Sequence, residues 1–138
     1  MKLGVITDGI SRDLGHALAV MDEFGLEGAE LQFVGQTEVG DFDAAEQTRI
    51  RDLLRAHGKS VPCLSRHIFA GLRVGLDKVG ESAHRKHMEA LKRCIDFARF
   101  VDCPLVRIMT AKKEMILWGH HGAEVWNVAK GAWDAHLE

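Results

Sequence analysis

The residues best suited to chemistry in this sequence are a histidine and a glutamate that lie in short apolar segments. His67 closes the segment 61–67, and Glu30 lies inside the segment 28–32. Imidazole exchanges protons near neutral pH and binds divalent metals, and a carboxylate can act as a general base. Both residues are therefore candidate catalytic groups, and His67 is also a candidate metal ligand. The alternative for His67 is a loop histidine without a chemical role.

Four further polar side chains lie where a substrate could be bound. Asp8 follows the first apolar segment, Gln32 and Arg107 lie within the second and fourth, and His120 lies in the last long loop. We predict that each contacts substrate, although Asp8 could instead cap a turn. His120 has a histidine neighbour, and adjacent side chains rarely bind one metal ion, so at most one of the two is expected to be a ligand.

Two other histidines, His84 and His87, are three residues apart on a predicted helix. This spacing puts them on one side of the helix and is compatible with metal binding. They occur at its polar start, however, so we expect them to lie on a solvated face.

The elements that must position these residues alternate four times along the chain. Short apolar runs predict strands over 3–7, 29–33, 60–65 and 105–109, and each is followed by a segment with helical periodicity, the last beginning near Ala123. Strand–helix–strand crossovers imply a parallel sheet with helices on its outer face. The predicted fold is α/β, a single (βα)₄ domain over residues 1–138 with half the content of a (β/α)₈ barrel.

Side-chain alternation predicts which polar residues share a face of the sheet. Glu30 and Gln32 alternate with apolar residues, and Arg107 lies between two aliphatic residues. Since helices cover the aliphatic face, these three side chains are expected to face the barrel interior. There Glu30 and Arg107 could meet, either as a structural ion pair or as a polar floor beneath a pocket.

Helix boundaries follow from capping residues. Ser11 is predicted to cap the first helix, and Asp43 with Glu46 forms a capping-box pattern at the second. Gly25 and Gly58 stand where these two helices should end.

The predicted loops are longest after the strands, over 34–41, 66–80 and 110–122. Active sites of α/β proteins lie at the carboxyl ends of parallel strands, where these loops are. The sequence has no GxGxxG and no Walker lysine motif, so a barrel is favoured over a nucleotide-binding fold.

Charge and composition exclude several classes of protein. Lys and Arg number 18 against 20 Asp and Glu, for a formal charge of −2, which gives no electrostatic reason to expect nucleic acid or a membrane surface as a partner. No apolar run reaches the length of a membrane span, and the start does not resemble a signal peptide. Three cysteines without CxxC spacing are typical of free thiols in a reducing compartment, so a cytoplasmic location is predicted.

Four segments of the chain resemble the sugar phosphate isomerase/epimerase family of xylose-isomerase-like TIM barrels. They are 2–8, 28–32, 61–69 and 106–109, and they match the first half of such a barrel. The resemblance implies isomerisation or epimerisation of a sugar or sugar phosphate with a divalent metal (Mn²⁺, Mg²⁺, Co²⁺ or Zn²⁺). It also implies that Glu30 and His67 line the pocket, whereas most metal ligands of the family lie in later strands.

Four strands cannot close a barrel, because about eight are needed. We therefore expect two copies to pair about a two-fold axis into a barrel-like homodimer. Three functions remain open. The chain could be a half-barrel relative of the isomerases with little turnover, a metal-dependent enzyme active as a homodimer, or a non-catalytic binding module.

Overall fold

Short strands alternate with helices in a computed structural model that describes residues 2–72 and 77–109. The strands are β1 (Gly4–Ile6), β2 (Gly28–Glu30), β3 (Phe33–Val34), β4 (Thr37–Glu38), β5 (Leu64–Ser65) and β6 (Val106–Arg107). The helices are α1 (Leu14–Glu23), α2 (Ala44–Ala56) and α3 (Ser82–Phe100), with a 3-10 turn at Thr7–Gly9. The described residues thus form a mixed α/β structure, as predicted. The predicted loop 110–122 and the fourth helix lie outside them.

The strands on either side of α1 and of α3 pair in parallel. β1 lies beside β2 with Gly4 opposite Gly28, and β5 lies beside β6 with Leu64 opposite Val106. A parallel bridge between Leu31 and Leu64 joins the two pairs. The order across these strands is therefore β1, β2, β5, β6, the order that consecutive β–α–β crossovers produce.

A hairpin interrupts the predicted second strand. The predicted strand ran through residue 33, but β2 ends at Glu30, and β3 pairs antiparallel with β4. Gly35, at φ +59°, occupies the tight turn between them, a conformation that glycine adopts without strain. The hairpin carries the residues after β2 back towards the carboxyl end of β5, where the candidate site lies.

The helix ends agree with the predicted boundaries, with one correction. Asp13, and not Ser11, is the N-cap of α1: its carboxylate accepts from the His16 N–H, and the Ser11 hydroxyl accepts from the Asp13 N–H. The shorter serine side chain stabilises the turn that precedes the helix. Asp43 caps α2 by accepting from the Glu46 N–H at 2.8 Å, as predicted.

The core lies between the helices and the apolar face of the strands. Its fully buried large apolar side chains are Leu14, Leu18, Met21, Leu31, Val39, Ile50, Leu64, Ile68 and Phe97. Their three- and four-residue spacing in α1 gives that helix one apolar face, as the periodicity predicted. Among the helices of the described residues, none is long and apolar enough to cross a membrane.

The chain divides into two compact units. The first comprises Met1–Ile68 and Glu89–Ile108, and the second comprises Phe69–Met88 and Met109–Glu138. All six strands, α1 and α2 belong to the first unit, and α3 passes from the second unit into the first after Met88.

Candidate functional site

Glu30 and Gln32 each contact a residue of the neighbouring strand segment. The Ser65 hydroxyl donates a hydrogen bond to Oε1 of Glu30, and the amide nitrogen of Gln32 lies 3.1 Å from Nδ1 and 3.3 Å from Nε2 of His67. The two contacts are two residues apart on each of two parallel segments, so the four side chains share one face. Ser65 is buried, Glu30 and Gln32 are half-buried, and His67 is exposed. A polar row thus runs from the interior to the carboxyl end of β5.

His67 is held by a carboxylate that the sequence analysis did not identify. Its Nδ1 lies 3.4 Å from Oε1 of Glu38, and its main-chain N–H donates to the same oxygen at 3.3 Å. The His67 side chain is 53% exposed, so the rest of the ring is open to solvent. An accessible imidazole beside a carboxylate is suited to proton transfer. Gln32, His67 and Glu38 are called the strand-end cluster below.

A half-buried arginine holds Glu38 in place. The Arg66 side chain is 14% exposed, and its Nε lies 3.3 Å from Oε2 of Glu38. Its other nitrogens donate to the Val39 carbonyl and to Oδ2 of Asp41, both at 2.7 Å. Burial lowers the pKa of Arg66, but the hydrogen bond to Asp41 and the charge of Glu38 outweigh it and raise the pKa above its usual value.

Asp41 joins this network to α3. Arg93 donates to Oδ1 of Asp41 through Nε and Nη2, at 2.9 and 2.6 Å, and to the Gly40 carbonyl at 3.1 Å. Burial raises the pKa of Asp41, but hydrogen bonds from Arg66 and Arg93 outweigh it and lower the pKa below its usual value. The aspartate is therefore held ionised between two guanidinium groups.

The backbone before Asp41 approaches α3 too closely for any side chain. Gly40 is buried at φ +94°, and a Cβ placed on it would lie 2.7 Å from Sγ of Cys94. The Cys94 thiol donates to the Val39 carbonyl at 3.3 Å. Burial raises the pKa of Cys94 to about 11, which keeps it a protonated thiol and an unsuitable nucleophile.

The other predicted site residues lie apart from the strand-end cluster or outside the described residues. Oδ1 of Asp8 accepts from the Phe33 N–H at 3.4 Å, so this side chain links the turn after β1 to the hairpin. Arg107 is exposed in β6 and forms no salt bridge within residues 2–72 and 77–109. Ser65 lies opposite Arg107 and bonds to Glu30, so β5 separates the two charges that were expected to meet. His120 lies outside the described residues.

His84 and His87 are not on a solvated face, contrary to the prediction. Both are half-buried. Nδ1 of His87 accepts the Phe69 N–H at 3.0 Å, and Nδ1 of His84 accepts the Gly80 N–H at 3.3 Å. The Phe69 ring lies 5.8 Å from each imidazole, measured between ring centroids. These histidines are acceptors for the backbone that precedes α3.

The donors of the strand-end cluster fall short of a metal site. In the part of the chain that the structure describes, no group of three or more His, Cys, Asp or Glu side chains could hold a metal ion. His67 and Glu38 supply one imidazole and one carboxylate, and Arg66 already neutralises that carboxylate. Hard divalent cations take about six oxygen or nitrogen ligands, so a single chain's cluster does not fit one.

Glu38, Arg66 and Asp41 were missed by sequence reasoning, although a signal for them was present. Glu38 and Asp41 lie in the long loop after the second strand, and Arg66 precedes His67. Two carboxylates in a loop placed at the carboxyl strand ends, opposite an arginine there, could have indicated an ionic link.

Comparison of the chain with protein-family models, with curated proteins and with solved structures finds no match.

Proposed function

We propose that this chain is a half-barrel relative of the sugar phosphate isomerases and epimerases, and that it binds a sugar or sugar phosphate at the strand-end cluster with little turnover of its own. The observation that carries the proposal is the exposed His67 ring, flanked by the Glu38 carboxylate and the Gln32 amide at the carboxyl end of a parallel strand. Ligand sites of parallel α/β folds lie at this end.

The chemistry of the cluster matches a polyhydroxylated ligand. Sugar hydroxyls both donate and accept hydrogen bonds, and the cluster offers a carboxylate acceptor, an amide that does both, and an imidazole. Aldose–ketose exchange moves one proton between adjacent carbons and a second between the oxygens on those carbons. His67 could take the carbon-bound proton as imidazolium and return it to the neighbouring carbon, and the Glu38 carboxylate could pass the hydroxyl proton, so that no atom or charge is gained or lost.

The expectation of little turnover follows from the donor set. Enzymes that the sequence resembles use a divalent metal, which polarises the sugar oxygens. One His67 and one Glu38 per chain do not make such a site, so binding is expected to exceed catalysis.

Self-association would give the unpaired strand edges a hydrogen-bonding partner. The outer edges of β1 and β6 have no strand partner among the described residues, and Leu3 and Leu105 beside them are 54% and 61% exposed. Unpaired edges favour strand addition, and a second copy related by a two-fold axis would cover both. We propose a barrel-like homodimer.

Solution mass tests the pairing. Light scattering should give about twice 15.3 kDa, and Leu105→Lys should shift the mass towards one copy by placing a charge at the edge. Phe24→Lys is the matched control, since Phe24 is 74% exposed at the end of α1. A single-copy mass for the wild type at tens of micromolar contradicts the homodimer.

Ligand binding tests the site itself. Backbone amide NMR shifts on adding fructose or fructose 6-phosphate should concentrate at Gln32, Glu38 and His67, and His67→Gln should weaken them. Shifts that spread over other surfaces, or none at millimolar ligand, contradict the proposal. Binding without measurable isomerisation is the expected result.

A metal-dependent homodimer is the second candidate. His67 and Glu38 are one imidazole and one carboxylate 3.4 Å apart, so two copies together would bring four donors. Stoichiometric binding of Mn²⁺, Co²⁺ or Zn²⁺, lost in His67→Gln and accompanied by isomerase activity, would favour this candidate over the first. If the protein bound neither metal nor sugar, the non-catalytic binding module would be the function that remains.

A further inference from the structure

We propose that Glu38 is a positioning residue that holds the neutral His67 ring in its Nδ1–H tautomer, so that Nε2 is the atom that accepts a proton from a bound ligand. The identity of that ligand rests on the proposed function. The tautomer is a property of the free protein and can be measured without any ligand.

One carboxylate oxygen receives both donors of His67. Oε1 of Glu38 lies 3.3 Å from the main-chain nitrogen and 3.4 Å from Nδ1. An ionised carboxylate can only accept hydrogen bonds, so Nδ1 must carry a proton for this contact to be favourable. The Gln32 amide nitrogen lies 3.1 Å from Nδ1 and 3.3 Å from Nε2. In a neutral ring with Nδ1 protonated, only Nε2 has a lone pair to which this amide can donate. A ligand hydroxyl that displaced this amide would meet the same lone pair.

Glu38 cannot easily turn away from the ring. Its second oxygen, Oε2, lies 3.3 Å from Nε of Arg66, and the Glu38 side chain is only 21% exposed. Arg66 is itself fixed by the Val39 carbonyl and by Asp41. The carboxylate is thus held between a guanidinium group and the imidazole, an arrangement in which a third group orients the base.

Glu38→Gln and Glu38→Ala separate orientation from simple packing. The glutamine keeps the size of the side chain but has one acceptor oxygen for the donors of both Arg66 and His67. The guanidinium should take that oxygen, so the amide NH2 faces His67 and the ring should shift to the Nε2–H form although the packing is kept. The alanine removes the acceptor, so the ring should revert to the Nε2–H form that imidazole favours in water. Asp41→Asn loosens the network without touching His67 and should leave the tautomer unchanged.

Imidazole ¹⁵N NMR of the full chain at a pH where the rings are neutral provides the measurement. Signals of His67 are assigned by their loss in His67→Gln, and circular dichroism checks that each variant is folded. His84 and His87 accept hydrogen bonds through Nδ1 and should show the opposite tautomer in the same spectrum. Nε2–H at His67 in the wild type, or an unchanged tautomer in folded Glu38→Ala, overturns the proposal.

Failure of this proposal is distinct from failure of the proposed function. An Nδ1–H ring in a protein that binds neither fructose nor fructose 6-phosphate supports the positioning role and contradicts only the ligand. In a protein that does bind, Glu38→Gln and Glu38→Ala should both weaken binding, whereas Asp41→Asn should not.

Discussion

The strand-end cluster of the first unit and the turn before α3 in the second unit both contain histidine side chains. The hydrogen-bond partner is a carboxylate in the first case and a main-chain N–H in the second. His67 lies against the Glu38 carboxylate, and its neighbours Arg66 and Asp41 form a chain of charges. His87 instead accepts a hydrogen bond from the main-chain N–H of Phe69. The first contact tolerates a protonated ring, because a carboxylate attracts imidazolium. The second requires a neutral ring, because a protonated Nδ1 cannot accept.

The difference shows how the same residue type serves reaction chemistry in one place and backbone structure in another. His67 is 53% exposed, so a ligand can reach it, whereas His87 is half-buried beside the Phe69 ring. Phe69 has a positive φ of 65°, which is unfavourable for a side chain of this size. The hydrogen bond to His87 helps to hold this conformation.

The largest expected loss of stability comes from adding a methyl group at Gly40, where the backbone packs closely against α3. In Gly40→Ala the new methyl group would lie 2.7 Å from Sγ and 3.2 Å from the main-chain nitrogen of Cys94, at φ +94°. Overpacking and backbone strain together should lower the free energy of unfolding by about 3 kcal/mol, as measured by urea denaturation. Gly58→Ala is the control, because Gly58 has φ +61° with nothing within 4 Å, and should lose only about 1 kcal/mol. Equal losses would show that Gly40 is not closely packed.

Removing the central charge of the network should change how stability depends on pH. The pKa of Asp41 is lowered from 3.8, so its contribution is fully present above that unfolded value and is lost as the pH falls through the folded value. The difference in urea midpoint between wild type and Asp41→Asn should therefore be larger near about pH 7 than near about pH 3.

Asp102→Asn is the matched control for this pH effect. Asp102 is exposed, has φ +55°, and forms no salt bridge within the described ranges. Asparagine tolerates that backbone, so this variant should follow the wild type at both pH values. A midpoint difference for Asp41→Asn that stays constant with pH would mean that its charge is not stabilised.

Amide hydrogen exchange compares the two regions directly. In His87→Phe the Phe69 amide loses the ring nitrogen that accepts its hydrogen bond at 3.0 Å, so its protection should fall. Protection of the His67 amide, which donates to Glu38 at 3.3 Å, should remain.

The variant keeps a ring beside Phe69, so a loss of protection reports the missing acceptor and not the loss of packing. Equal protection of the Phe69 amide in the wild type and in His87→Phe would show that the His87 contact is not a determinant of this turn.

The sequence predicted the parallel strands and the faces of α1 and α2, because apolar periodicity and caps such as Asp43 act locally. It also indicated Glu30 and Gln32 as polar residues of one face, and His67 as the residue that closes the next strand segment. It did not predict the hairpin, since β3 and β4 have two residues each and leave no periodic pattern. Glu38 lies near His67 because the hairpin turns the chain back towards β5. Residue spacing in the sequence does not predict that turn, so it could not predict the contact either.

The misread histidines show a second limit. His87 was predicted to be solvated because charged residues surround it in sequence, but its partner is a main-chain N–H 18 positions away. Any residue type supplies such a donor, so no side-chain pattern marks it. Polar residues that bind backbone are for this reason harder to predict than pairs of opposite charge.

The smallest expected change in stability comes from replacing His67, the residue proposed to contact the ligand and exchange its proton. His67→Gln replaces a half-exposed side chain whose polar neighbours can reach water, so the free energy of unfolding should change by less than about 0.5 kcal/mol. His87→Phe leaves a backbone N–H without its acceptor and should cost about 1–2 kcal/mol. Urea denaturation of the wild type and both variants in the same buffer gives the comparison. If His67→Gln cost as much as His87→Phe, His67 would be part of the structural framework, and its exposure would no longer point to a ligand.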